Sequence, residues 1–395
     1  MKPGWRQFWI ALHRYTGLAM TIFLGVAALT GCLLSFERPL DGWLNPDLFV
    51  PRRPGLADPR SAVAALERAH PDLVATYYPV QAEPGRNILV RVAARGTAAL
   101  GFDEAFLDGG DGHLAGTRQS GAGWDRAHLM RGVYELHCDL LAGTPGRWLM
   151  GGTALLWFLS NLVGLYLTWP VRPPIWKNWK RSWVFRRSSP LPRLLLDIHR
   201  ASGLWLLVPL CVLAFTSVAM SFYSEALMPI VERLSPPRPS PFDRPAPDRQ
   251  PSASPDMRRI LQRAIAQARA RHLRWQPAVY QVEPDRGLVG VRFTASGRET
   301  YRGLGPVTYW FDAGSGQFVY EDSPYGDSVG FGLARSLYPL HTGQMIGLPG
   351  IVLDLVLGLA TLEQAGTGLY LWLKRRRLRR PSRRRAVPVS GSASG

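Results

Sequence analysis

The stretch His13-Arg14-Tyr15-Thr16-Gly17-Leu18 opens a long uncharged run and returns 186 residues later as His199-Arg200-Ala201-Ser202-Gly203-Leu204. Two further segments return in the same order: Leu136-His137 as Leu340-His341, and Gly164-Leu165-Tyr166-Leu167 as Gly368-Leu369-Tyr370-Leu371. By the last of them the offset has grown to 204 residues. Insertion of the Pro-rich segment at residues 235–255 would account for most of this increase. The series predicts an internal duplication, in which two copies of one unit make up the chain.

Four stretches of the sequence carry almost no charge and are long enough to cross a membrane. Each has about 22 to 24 residues, which covers a hydrocarbon core of about 30 Å at about 1.5 Å per residue. Only the last is interrupted by acids, Asp354 and Glu363. The sequence therefore predicts a membrane α-helical protein with four transmembrane helices in two parallel repeats, at residues 15–36, 148–171, 201–224 and 351–373.

The basic residues, which give the chain a net charge of +18, are concentrated beside these stretches. They precede the first span, fill the short loop between the second and third, and follow the fourth. Because short basic segments stay on the cytoplasmic side, both termini are predicted to be cytoplasmic and the two long loops to face outward. The charge thus reflects membrane topology, with the lipid bilayer as partner, and requires no nucleic acid.

Each long loop reads as one helix followed by alternating strands, which predicts a small α+β extracytoplasmic domain. The helices are expected at residues 61–68 and 257–270. Each half is predicted to consist of a helix, an outer domain, an interfacial segment with a second helix, and a basic cytoplasmic segment. In the first half these parts are residues 1–36, 37–135, 136–171 and the loop 172–195. In the second half they are residues 196–224, 225–335, 336–374 and the tail 375–395.

Four of the eight histidines occupy duplicated positions. His13 and His199 stand at the cytoplasmic ends of spans, and His137 and His341 at the outer ends. Parallel repeats are related by an axis along the membrane normal, so equivalent residues face each other at equal depth. A planar haem near that axis would take one imidazole from each half, which predicts that His13 pairs with His199 and His137 with His341.

Other interpretations of these residues remain open. An isolated interfacial histidine is often structural, and a zinc or copper site usually needs three or four ligands in one place, where this sequence offers two. Arg14 and Arg200 would hold haem propionates or simply mark the cytoplasmic side. Asp354 and Glu363 are candidates for a function inside the membrane or for structural pairing.

The repeated motifs and the outer helix–strand domains resemble the PepSY-associated transmembrane family, which includes FoxB-type inner-membrane ferric-siderophore reductases. The similarity extends over nearly the whole chain to about residue 373. The resemblance implies a bacterial inner-membrane protein with two haem b groups held by His13, His199, His137 and His341, and with PepSY-like outer domains. It also implies a ferric siderophore as substrate and a separate electron donor, either a quinol or a cytoplasmic reductase.

Two other functions fit the same sequence: a general cytochrome b module that passes electrons between quinone and a partner, and a haem-free membrane protein whose outer domains bind or regulate a partner. Gly109-Gly110-Asp111-Gly112 lies in a predicted hairpin turn, so it is not a dinucleotide fingerprint. Candidate contacts for a substrate at the outer face are Trp124, Arg126, His128, Arg335 and Tyr338.

Overall fold

The computed structural model describes residues 3–96, 99–121, 123–243, 255–299 and 302–379. Most of the predicted basic tail and of the Pro-rich segment lies outside these residues. The described α-helices are α1 Pro3–Leu34, α2 Glu37–Leu44, α3 Pro46–Phe49, α4 Pro59–Ala69, α5 Leu129–Asp139, α6 Gly143–Thr168, α7 Ile175–Lys180, α8 Leu191–Trp205, α9 Leu207–Ser221, α10 Met228–Leu234, α11 Met257–Ala270, α12 Val329–His341 and α13 Leu348–Arg379.

The chain divides into two compact units. The first unit comprises the described parts of Met1–Gly25, Leu156–Leu210 and Ala360–Gly395. The second unit comprises Val26–Leu155 and Cys211–Leu359, and it contains every strand of the structure's described residues.

Three helices in the described part of the chain are long and apolar enough to cross a membrane: Gly4–Leu34, Gly143–Thr168 and Leu348–Leu378. They contain most of the first, second and fourth predicted spans. Much of their surface is apolar and exposed, as expected for side chains that face lipid instead of water. The protein is therefore a membrane protein with a mixed helical and antiparallel β architecture.

The third predicted span, residues 201–224, is not one straight helix. It consists of the end of α8 and the whole of α9, which meet at Leu206 with a bend of 72°. Pro209 explains the break, because proline lacks an N–H and its ring clashes with the carbonyl four residues earlier, that of Trp205. The corresponding position of the first repeat is Phe23, and α1 continues through it. The bent pair counts as a fourth span only if both helices are taken together.

The two outer domains, expected to be separate, share one antiparallel sheet of eight strands. Its order is β4-β3-β2-β1-β5-β6-β7-β8, so the first strand of each half lies at the centre. The central register pairs Tyr78 with Tyr280, and this pairing removes two exposed sheet edges. The strands are β1 Leu73–Pro79, β2 Ile88–Ala94, β3 Glu104–Leu107, β4 Leu114–Arg118, β5 Gln276–Glu283, β6 Leu288–Thr294, β7 Val307–Asp312 and β8 Phe318–Asp322.

One hydrophobic core lies between the sheet and the helices α4 and α11. Side chains of both helices and of strands from both halves are buried in it, with the rings of Tyr78 and Tyr280 at 5.1 Å between centroids. Each helix begins at an aspartate cap: Asp58 accepts from the N–H of Ser61, and Asp256 from that of Arg259. The helix expected at residues 257–270 has these bounds, and the earlier one extends over Pro59–Ala69.

Candidate functional site: two facing histidine pairs

The structure brings the four duplicated histidines together in the two predicted pairs. In the first unit, His13 of α1 and His199 of α8 have ring centroids 6.4 Å apart and ring planes inclined by 75°. In the second unit, His137 of α5 and His341 of α12 have centroids 6.2 Å apart and planes inclined by 62°. We call these the first and the second histidine pair.

In the second pair, hydrogen bonds fix the tautomer of His137. Its Nδ1 lies 3.0 Å from the carbonyl oxygen of Ala27 and 2.9 Å from the hydroxyl of Thr30. A carbonyl oxygen only accepts, so Nδ1 must carry the proton and donate. The lone pair of this imidazole is then on Nε2, the nitrogen left for a metal.

His341 has the equivalent partner. Its Nδ1 lies 3.2 Å from the hydroxyl of Thr216, which can donate to the carbonyl of Val212 or Leu213 and so accept from the ring. Thr30 and Thr216 are separated by 186 residues, the same offset as His13 and His199. Sequence reasoning missed both threonines, although this shared offset was the signal that pointed to them.

Burial lowers the pKa of both histidines of the second pair, which lie in the last turns of α5 and α12, just before the spans. For His341 the pKa falls to about 4, because burial disfavours the charged ring and His137 adds a further unfavourable charge. For His137 the cause is again burial. Both imidazoles are therefore neutral at physiological pH, which is the form that binds metals.

The first pair also has hydroxyl partners, but these occupy different positions in the two repeats. Nδ1 of His13 lies 2.8 Å from the hydroxyl of Ser160 on α6, and Nδ1 of His199 lies 2.9 Å from that of Thr367 on α13. Thr367 can donate either to the carbonyl of Glu363 at 2.8 Å or to Oε1 of the same residue at 3.3 Å, and accept from the ring. With the offset of 204 residues, Ser160 corresponds to Gln364, which has no hydroxyl, so the repeat could not have identified these hydroxyl partners.

The spacing of the rings fits two ligands on opposite sides of one metal. With a metal–nitrogen bond of about 2.0 Å and a ring centre about 1.1 Å behind the nitrogen, two such rings have centroids about 6.2 Å apart. The observed separations are 6.4 and 6.2 Å. Within the described residues no group of three or more His, Cys, Asp or Glu is arranged to hold a metal ion. The donor set at each pair is therefore two imidazoles, which suits the axial positions of a haem.

Three glycines near the pairs lie against the imidazoles. A Cβ added to Gly31 would come 3.2 Å from Cε1 of His137, and one added to Gly164 would come 3.5 Å from Cε1 of His13. Gly368 has the same relation to His199 at 3.8 Å. At Gly17, one turn after His13, an added Cβ would meet no heavy atom within 4 Å.

The two candidate propionate ligands differ in their surroundings. Arg200 donates to the carboxylate of Asp197 at 2.9 Å and to the carbonyl of Arg181 at 3.0 Å. Asp197 is buried, and the residue at the corresponding place before Arg14 is Ala11. The guanidinium of Arg200 is thus attached to the basic loop, and a propionate contact of Arg14 or Arg200 stays a prediction.

Three of the five candidate substrate contacts of the outer face are engaged by nearby carboxylates. Arg126 pairs with Asp47 at 3.0 Å, His128 with Asp125 at 2.7 Å, and Arg335 with Asp322 at 3.6 Å. Trp124 and Tyr338 are exposed. The role of these five residues in substrate binding stays a prediction.

One comparison with known proteins identifies a family. The family model of the PepSY-associated TM region matches residues 10–375, which include both histidine pairs and the whole sheet. No curated protein matches the chain.

Proposed function

This chain belongs to the family of the PepSY-associated TM region, and from that premise we propose that it is a dihaem b-type oxidoreductase that reduces ferric siderophores. The observation that carries the proposal is the pair of facing imidazoles in each unit, spaced 6.4 and 6.2 Å between centroids. The family and the long apolar helices support electron transfer at a membrane. We place the protein in the bacterial inner membrane with both termini in the cytoplasm.

In this proposal His13 and His199 hold one haem b, and His137 and His341 hold the second. When bound, each haem supplies a centre that gains and loses one electron. The chain keeps Nε2 of each imidazole available by engaging Nδ1 with a hydroxyl or carbonyl oxygen. The apolar helices exclude water from the neighbourhood of the rings.

The substrate is ferric iron chelated by a siderophore on the extracytoplasmic side, and the product is ferrous iron. The reaction consumes one electron per iron, supplied by a quinol or a cytoplasmic reductase. Reduction favours release because the hard oxygen ligands of siderophores hold Fe(III) more tightly than Fe(II). The glycine-rich turn Gly109–Gly112 lies between β3 and β4, so a dinucleotide site there is not part of the proposal.

The proposal is tested by the absorption spectrum of the protein purified from haem-replete cells and by its reoxidation. We expect b-type bands after dithionite reduction, and rapid return of the oxidised spectrum on addition of a ferric hydroxamate. The same siderophore loaded with gallium(III), which does not accept an electron under these conditions, should leave the reduced bands unchanged. This control separates electron transfer to iron from an effect of siderophore binding.

The alternatives give different results in the same experiment. A colourless protein from haem-replete cells would contradict the haem proposal and favour a haem-free binding or regulatory protein. A protein with b-type bands that is reoxidised by quinone but not by ferric chelates would instead be a general cytochrome b module.

The threonine partners of the second pair give a further prediction. Thr30→Val and Thr216→Val remove the hydroxyl partner of Nδ1 and leave the backbone carbonyl beside it, and loss of such a partner typically costs about 10- to 100-fold in affinity for the bound group. We therefore expect faster transfer of haem from the second site to apomyoglobin. Ser217→Ala is the matched control, because the Ser217 hydroxyl donates to the carbonyl of Leu213 on its own helix. Equal transfer rates in all variants would contradict the predicted role of the threonines.

A further inference from the structure

The last helix carries two acids that the first repeat lacks. Glu363 and Asp354 lie on α13, and the corresponding positions on α6 are Leu159 and Met150. An acid inside an apolar span is costly to bury, so its contacts indicate what it does. The two acids have different neighbours.

Glu363 is linked by hydrogen bonds to the first histidine pair. The hydroxyl of Ser202 donates to Oε2 of Glu363 at 2.7 Å. The hydroxyl of Thr367 lies 3.3 Å from Oε1 of Glu363 and 2.9 Å from Nδ1 of His199. The carboxylate is therefore one side chain away from the imidazole, and all these residues belong to the first unit.

The other imidazole of this pair has no such neighbour in the corresponding place. Nδ1 of His13 contacts the hydroxyl of Ser160. Thr16, which corresponds to Ser202, donates to the carbonyl of Leu12 on its own helix, and Val163 corresponds to Thr367. The repeat thus has a carboxylate beside one imidazole of the pair but not at the equivalent position beside the other.

We propose that Glu363 is a positioning residue for His199 and lowers the reduction potential of the site formed by His13 and His199. This inference depends on the proposed haem ligation. A carboxylate near the Nδ1–H makes the imidazole a stronger electron donor, and its negative charge stabilises the oxidised, more positive iron. Because Glu363 lies within an apolar helix, its charge is weakly screened.

Potentiometric titration of the haem bands tests the inference. Glu363→Gln keeps the shape of the side chain and removes its charge, so the potential of the first site should become more positive. Thr367→Val breaks the link to His199 and should shift the same site in the same direction. His137→Ala identifies the titration wave of the second site by its loss, so that the remaining wave belongs to the first.

Asp354→Asn is the matched control on the same helix. Asp354 accepts a long hydrogen bond, 3.5 Å, from the hydroxyl of Ser35 in the second unit, and the first-site potential should stay at the wild-type value. A Glu363→Gln protein with two haems and an unchanged first-site potential would overturn the inference, as would an equal shift in Asp354→Asn. A wild type without haem would instead overturn the proposed function, so the two failures are distinguishable.

Discussion

His13→Ala is expected to leave the purified protein with one haem per chain instead of two, and His137→Ala is expected to do the same at the other site. Each substitution removes one of the two imidazoles that face each other across about 6 Å. The haem absorbance per chain, measured after conversion to the pyridine complex, should fall by about half in either variant. The double variant should be nearly colourless.

The control for these variants is His113→Ala. The His113 side chain is 76% exposed and lies beside Asp111 in a turn of the sheet, so its loss should leave both haems in place. If His13→Ala and His137→Ala both retained two haems with unchanged spectra, the assignment of the two pairs as axial ligands would be wrong. Loss of one haem in each would also show that the two sites are filled independently.

The pairing of the histidines could be predicted because it follows from the repeat. Two similar repeats related by an axis bring equivalent residues together whatever the details of packing. The pairing of His13 with His199 could therefore be predicted without knowing any side-chain geometry. The hydroxyl partners of their Nδ1 atoms could not be predicted from the repeat. Ser160 and Thr367 occupy different positions in the two helices, and which turn of a helix faces a neighbouring ring depends on packing that the sequence does not encode locally.

The order of strands in the outer sheet also could not be predicted from the sequence pattern. Alternation of apolar and polar residues predicts strands, and it does not predict which strand lies next to which. The pairing of Tyr78 with Tyr280 joins residues from the two halves of the chain. The backbone pairing of β1 with β5 joins the two predicted domains into a single sheet, and both rings are buried in its one core.

The break in the third span could have been predicted from the sequence. Pro209 is visible inside the uncharged run, and proline in a helix interior removes a hydrogen bond and kinks the helix. Apolar length alone predicts that a segment can cross a membrane, and it carries no information on whether the segment is straight.

Arg118→Ala is expected to destabilise the second unit by about 3–5 kcal/mol, the usual cost of leaving buried carboxylates without their counter-charge. The Arg118 guanidinium, 12% exposed, donates to Glu104 at 2.7 Å and to both oxygens of Asp41 at 3.0 Å. It also donates to the carbonyl of Ala127 at 3.1 Å. One side chain therefore connects the edge strand β4 to α2, which follows the first span, and to the segment that leads into α5.

Thermal unfolding followed by circular dichroism, in detergent, would measure this effect against a matched ion pair nearby. Arg126 pairs with Asp47, but both side chains are largely exposed, at 59% and 40%, so Arg126→Ala should cost about 0–1 kcal/mol. Replacing the whole cluster, with Arg118→Met, Asp41→Asn and Glu104→Gln together, should recover much of the loss because no buried charge remains unpaired. Equal melting temperatures for Arg118→Ala and Arg126→Ala would contradict this account. Arg118 also holds the carbonyl of Ala127, just before α5, and α5 contains His137. Loss of the Arg118 contacts should therefore also weaken the second histidine pair while the first stays intact.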